Sequence, residues 1–164
     1  MKNIYLAGLT ASRFTLDRNL EGITQIESLE QPRWGGNCIN WNAGHILIVR
    51  QQLLSKFGTF DFLTSDESKC YISGSTPISI QTPNVDIDRI RQGLDFTFTA
   101  LQGTISKLDD GFFEQPIPAD QIPVAINQPN FAKLLVILLY HEGYHTGQIG
   151  LGRRMLGKPF SSNL

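Results

Sequence analysis

The sequence predicts an all-α protein, a four-helix bundle whose helices run up, down, down and up. Three observations predict it. Four segments carry apolar residues at helical spacing, two long irregular connections separate them, and 164 residues suit one domain spanning 1–164. The first connection, residues 58–83, is long for a compact domain. A crossover of that length between the second and third helices lets the two lie parallel rather than form a hairpin.

The first helix is expected from about Lys2 to Asn19 and beyond, on Leu6, Leu9, Leu16 and Leu20. The run from Gln31 to Gly36, with Pro32, Trp34 and two glycines, breaks the chain. The second helix is expected to open at Asn40 as N-cap and to run to about Phe57, with Gly58 as its stop. Trp41, His45, Ile48, Val49 and Gln52 fall on one side of it. The third is expected to open at Thr82 and Pro83, with Asp86 and Asp88 suited to its positive end. It carries Ile90, Leu94, Phe98, Leu101, Ile105 and Leu108, and Asp109, Asp110 and Gly111 end it. Residues 111–129 hold Pro116, Pro118, Pro123 and Pro129 and read as a second loop. The fourth helix is expected from about Asn130 to Leu156, closed by Gly157, Lys158 and Pro159.

Composition narrows the function. A net charge of −1 gives no footprint for a phosphate backbone, so nucleic acid is excluded as a partner. No stretch approaches the ~18 apolar residues of a membrane span, and the start of the chain turns polar too early for a signal peptide. Cys38 and Cys70 stand far apart, outside any C-x-x-C pattern, and read as reduced thiols. A cytoplasmic protein acting on a small molecule is the expectation.

The chemistry lies in three histidines, the only ones in the chain. His141 and His145 sit at i, i+4 in His141-Glu142-Gly143-Tyr144-His145. That spacing puts two imidazoles on one helix face, about one turn apart, where they can share one metal ion. The segment matches the H-E-x-x-H peptidase motif literally, but the rest of that motif is missing. From Thr146 onward there is no Asp, Glu or His; Gln148 stands where the extended form needs Gly, and Leu151 where it needs His. A metallopeptidase is therefore disfavoured. The remaining histidine is His45 on the second helix, and a bundle can bring two helices face to face around a metal. Three neutral imidazoles suit Zn, Ni, Cu or Fe, and residue types alone do not choose among them.

Trp41-Asn42-Ala43-Gly44-His45, together with His141-x-x-x-His145-x-Gly147-Gln148-Ile149 and then Arg154 and Leu156-Gly157, resembles the DinB/YfiT-like family of metal-dependent proteins. The likeness extends over the chain in helix order and loop placement. It implies an up-down-down-up four-helix bundle with zinc or nickel on His45, His141 and His145. It also implies relatives that are S-transferases using a low-molecular-weight thiol as cosubstrate. A homodimer is one further expectation.

Around the histidines, several residues keep two readings. Glu142 is a general base, a support to a ligand, or an ordinary exposed helix residue. Tyr144 donates to a ligand or packs in the core. Gln148, at i+3 from His145, touches the site or another helix. Trp41 walls the site or fills the core. Gly143, Gly147, Gly150 and Gly152 each weaken a helix by about 1 kcal/mol relative to Ala and mark close packing or room for substrate. Arg153 and Arg154 attract an anionic thiol or simply complement the helix end. Three functions follow in order of preference. They are a metal-dependent transferase or hydrolase, a non-catalytic metal-binding stress-response protein, and a structural bundle with incidental histidines.

Overall fold

Four helices of 17 to 25 residues carry the fold: α1 (Lys2–Leu20), α3 (Ile39–Ser55), α5 (Ile87–Lys107) and α7 (Phe131–Met155). Three short helices lie between them: α2 (Gln25–Ser28), α4 (Ser65–Lys69) and α6 (Asp110–Phe113). A 3₁₀ turn, Ala119–Gln121, lies in the last connection. The computed structural model describes residues 2–33, 35–58, 60–121 and 126–159, and no strand occurs among them. Trp34 and Pro123, singled out in the sequence, fall outside the described residues. No described helix is long and apolar enough to cross a membrane.

α1 and α3 each pack against both α5 and α7. Along α1 and α7 the contacts climb together. The Tyr5 hydroxyl donates to the Ala132 carbonyl, Gly8 lies against Leu139, and Asn19 Nδ2 donates to the Thr146 carbonyl. Along α3 and α7 they run in opposite senses: Ile39 meets Gly152, and Arg50 meets Glu142.

The interior divides into two apolar cores. One holds Leu16, Ile39, Leu47, Tyr71, Ile90 and Ile149. The other holds Tyr5, Leu54, Leu101, Phe113, Phe131 and Leu135. Between them lies a polar layer to which every long helix contributes. Arg50 of α3 donates through Nε to Glu142 Oε2 of α7 at 2.8 Å and through Nη2 to Oε1. Its Nη1 reaches the Leu94 carbonyl of α5 at 3.1 Å, and Ser12 of α1 donates to Glu142 Oε1. Arg50 and Glu142 are both buried, so each neutralises a charge that would be expensive alone.

Helix starts differ from expectation at two places. α3 begins two residues early, with Cys38 as an N-cap that makes no side-chain bond. Asn40 is instead a buried crosslink: its Nδ2 donates to the Val85 carbonyl and Ser28 Oγ, and its Oδ1 accepts from the Tyr71 hydroxyl. α5 begins at Ile87 and not at Pro83; Asp86 caps it by accepting from the Asp88 amide. The intervening residues form a turn in which Thr82 and Asn84 bond back to Ser79. Asp109 does not merely end α5 but caps α6, accepting from the Phe112 amide. At α7 the start falls where expected to within a residue: the helix begins at Phe131, and Asn130 caps it by accepting from the Lys133 amide.

Candidate metal centre

His45 of α3 and His141 and His145 of α7 come together on one side of the α3–α7 seam. One ring nitrogen from each lies within 4.8 Å of the others. His45 and His145 are buried and His141 is half-buried. His45 Nε2 and His141 Nε2 are 3.1 Å apart. A tetrahedral ion with nitrogen ligands at about 2.0–2.1 Å separates them by about 3.3 Å, so this pair is spaced as a shared ion requires.

The neighbours of the rings decide which nitrogens are free. His45 Nδ1 is 2.6 Å from the backbone carbonyl of Tyr71. A carbonyl can only accept, so Nδ1 carries the hydrogen and Nε2 carries the lone pair. His145 Nδ1 faces two amide oxygens, Asn42 Oδ1 at 2.8 Å and Gln148 Oε1 at 3.0 Å. The Asn42 amide cannot be reversed without loss, because its Nδ2 donates to the carbonyls of Asn37 and Cys38. His145 therefore also presents Nε2 as a lone pair. Hydrogen bonds of this kind fix the tautomer and orientation of metal-binding histidines.

Burial holds all three imidazoles below the ordinary histidine range. For His45 desolvation is the main cause. For His141 it is joined by repulsion from His45. His145 is pushed to about 4 by burial, with repulsion from the other two rings added. Near neutral pH the cluster is thus uncharged, the state in which imidazole binds metal.

The long connection after α3 supplies the wall behind His45. Tyr71 is fully buried, its hydroxyl accepting from the Val85 amide and donating to Asn40. Its ring lies over Gly44, where an added Cβ would sit 2.3 Å from a ring carbon; only glycine permits that approach. Trp41 stacks on His45 with ring centroids 4.7 Å apart and 12° between planes. Its Nε1 donates to Ser75 Oγ at 2.9 Å. Ser73 of the same connection joins Trp41 and the three histidines in lining an open cleft of about 550 Å³.

The other residues with two readings separate clearly. Gln148 touches the site and Trp41 walls it. Glu142 is buried, and its carboxylate is engaged by Arg50 and Ser12. It lines a small apolar cavity of about 30 Å³ with Tyr5, Leu9 and Leu135. Tyr144 is exposed, with its ring edge-on to His145 at 5.1 Å. Gly150 and Gly152 allow close packing on Asn19 and Ile39, whereas Gly143 and Gly147 face open space. Arg153 is buried and donates to the carbonyls of Asn19 and Glu21, tying α7 to the end of α1. Cys38 is buried and free, and it lines a separate groove with Ile39 and Gly152. The sequence reading missed Asn42, Tyr71 and Arg50. Asn42 offered a signal, a polar residue one turn before His45 on a face otherwise apolar; a backbone carbonyl such as that of Tyr71 offers none.

A helical protein with three converging imidazoles between two of its helices is the class that fold and site define. The chain belongs to the DinB superfamily, whose family model matches residues 9–149. It is similar in fold to a solved structure described as the conserved protein of a locus from Enterococcus faecalis. The TM-score is 0.72 at 12% identity, covering 96% of this chain and 98% of that one. No curated protein matches the chain.

Proposed function

We propose that the chain is a metal-dependent enzyme holding one divalent ion, zinc or nickel, on His45, His141 and His145. The observation that carries this reading is the pinning of two rings at Nδ1, by the Tyr71 carbonyl and by Asn42 and Gln148, so that their Nε2 lone pairs are left free, within a cluster whose three ring nitrogens lie within 4.8 Å of one another. An incidental cluster has no need of such supports. Bound there, a divalent ion would supply a Lewis acid with open positions and a doubly positive charge that favours a thiolate or hydroxide as ligand.

The reaction we assign is attack by a small thiol, or by water, on a small electrophile: S-transfer or hydrolysis. The open cleft beside the histidines supports a reacting substrate over a purely stored or structural metal. Glu142 is given no proton-transfer role, because Arg50 and Ser12 occupy its carboxylate. In this reading its part is to hold α7, and with it His141, against α3. We further infer an up-down-down-up order, supported by the parallel contacts of α1 with α7 and the antiparallel ones of α3 with α7. Action in the cytoplasm belongs to the same reading. So does a homodimer through the exposed Val136, Tyr140 and Tyr144 of α7.

The test begins with protein purified without a polyhistidine tag, dialysed and analysed for metals. About one ion per chain is expected, and none in the His45→Ala, His141→Ala, His145→Ala variant. Full metal content in that variant would overturn the site. Zinc- and nickel-loaded samples are then assayed for conjugation of bacillithiol, mycothiol, glutathione or coenzyme A to a chromogenic electrophile. Bound metal with no acceleration by any thiol would overturn the transferase assignment.

A further inference from the structure

The cleft beside the histidines is a trough rather than a pit. Its walls come from two helix faces in register. Trp41, Val49 and Leu53 line the α3 side, and Leu134, Ile137 and Leu138 line the α7 side. The histidines stand toward one end, and Gln52, Lys56, Asp120 and Gln121 toward the other. His45 and Lys56 are eleven residues apart on α3 and its C-cap, about 16 Å along the axis. A lysine side chain spans about 6 Å, a few bond lengths of the kind that set chain dimensions. A ligand of roughly 10 Å would therefore reach from one end to the other.

The far end carries an available positive charge. Lys56 is exposed, and its Nζ donates to the neutral side-chain oxygen of Gln121 at 2.8 Å. It keeps its charge and further N–H groups for a ligand. Asp120 lines the same end and makes no ion pair with Lys56 among the described residues.

We propose that the trough selects an elongated ligand with three parts: an anionic donor at the histidine end, an apolar body, and a carboxylate read by Lys56. This rests on the metal reading above and adds its substrate class. Lys56 is a specificity residue in this scheme and takes no part in the chemistry.

The test uses protein loaded with cobalt(II), whose thiolate charge-transfer band reports binding without turnover. Three thiols of equal length are titrated: 6-mercaptohexanoate, 6-mercaptohexanamide and 6-aminohexanethiol. The carboxylate should bind about five-fold more tightly than the amide, the range of an exposed charge contact. Lys56→Met should remove that preference, and Lys56→Arg should keep it. Equal affinities for the three thiols, or preference for the amine, would overturn the proposal while leaving the metal site intact. A carboxylate preference that survives in Lys56→Met would do the same. No band with any thiol would overturn the ligand class. Failure to bind cobalt at all would overturn the metal reading and this one with it.

Discussion

On one side of the Arg50–Glu142 layer, Tyr5 stacks on Phe113 at 5.5 Å, and Phe131 meets Phe112 and Phe57 edge-on at 4.9 and 5.5 Å. On the other side the large rings are Trp41 and Tyr71, each of which also spends a polar atom on a neighbour. The distal core is built mainly by packing, with aromatic and branched side chains at helical spacing filled to density and the Tyr5 hydroxyl tied to the Ala132 carbonyl. In the core beside the site, packing also positions atoms. Tyr71 is buried there for its bulk, and its carbonyl orients His45. The hydrogen bonds that orient the histidines thus come from the core beside the site, while Leu53 and Leu134 of the distal core also line the cleft; substitutions away from the cleft should separate stability from site geometry.

The largest effect is expected in the layer between the cores. Arg50→Met leaves Glu142 buried without its counter-charge, with only the Ser12 hydroxyl still donating to it, and should cost about 3–5 kcal/mol. Replacing both residues by apolar ones, Arg50→Met with Glu142→Leu, should recover most of that loss in urea unfolding. A single variant within 1 kcal/mol of the parent, an order-of-magnitude bound for exposed pairs, would remove the layer from the account.

In the distal core, Leu135→Ala should cost about 3 kcal/mol through lost burial and a residual cavity. Its metal content should stay at the parent's value. A loss of metal affinity matching the loss of stability would erase the distinction between the cores.

Beside the site the opposite pattern is expected. Asn42→Ala removes an acceptor from His145 and should weaken metal binding about 10- to 100-fold, as loss of such supports does elsewhere. Gly44→Ala pushes on the Tyr71 ring and should shift affinity in the same direction. Competition against a chromogenic chelator reads both. Unchanged affinity in both would mean that the hydrogen bonds to Nδ1 are incidental.

The smallest effect concerns pH. The folded protein holds its imidazoles below their unfolded values, His145 at about 4. Between about pH 6.5, the unfolded histidine value, and pH 4 the unfolded chain binds more protons. Stability of the metal-free protein should therefore fall as pH drops through that window and be fully present above it. Urea midpoints measured from pH 7.5 to 4.5 should decline, and less so when all three histidines are replaced. An identical decline in the replaced protein would assign the effect to other groups.

The parts legible in the sequence are those that depend on local spacing. His141 and His145 declare themselves by an i, i+4 interval, and the ends of α7 by Asn130 and Gly157. His45 followed because it was the one histidine left. What stayed hidden depends on contacts between distant segments. Asn40 looks like a cap in isolation, but it bonds to Val85 and Tyr71, and the helix starts without it. Thr82 and Pro83 look like a helix start, but their turn serves to bring Val85 to the Tyr71 hydroxyl. The long connection after α3 seemed to need only a topological reason; it also carries the carbonyl that orients His45. Glu142 looked like a base from its place in H-E-x-x-H, and no local pattern shows that Arg50, 92 residues away, holds it.

The central claim is that three imidazoles, and nothing else in this chain, hold the ion. X-ray absorption at the metal edge, on protein loaded with one equivalent of zinc, tests it most directly. Three imidazole nitrogens at about 2.0 Å are expected, with the remaining position filled by a light atom from solvent. Addition of a thiol should then introduce one sulfur neighbour at about 2.3 Å. A spectrum with sulfur before any thiol is added, or with fewer than three imidazoles, would contradict it.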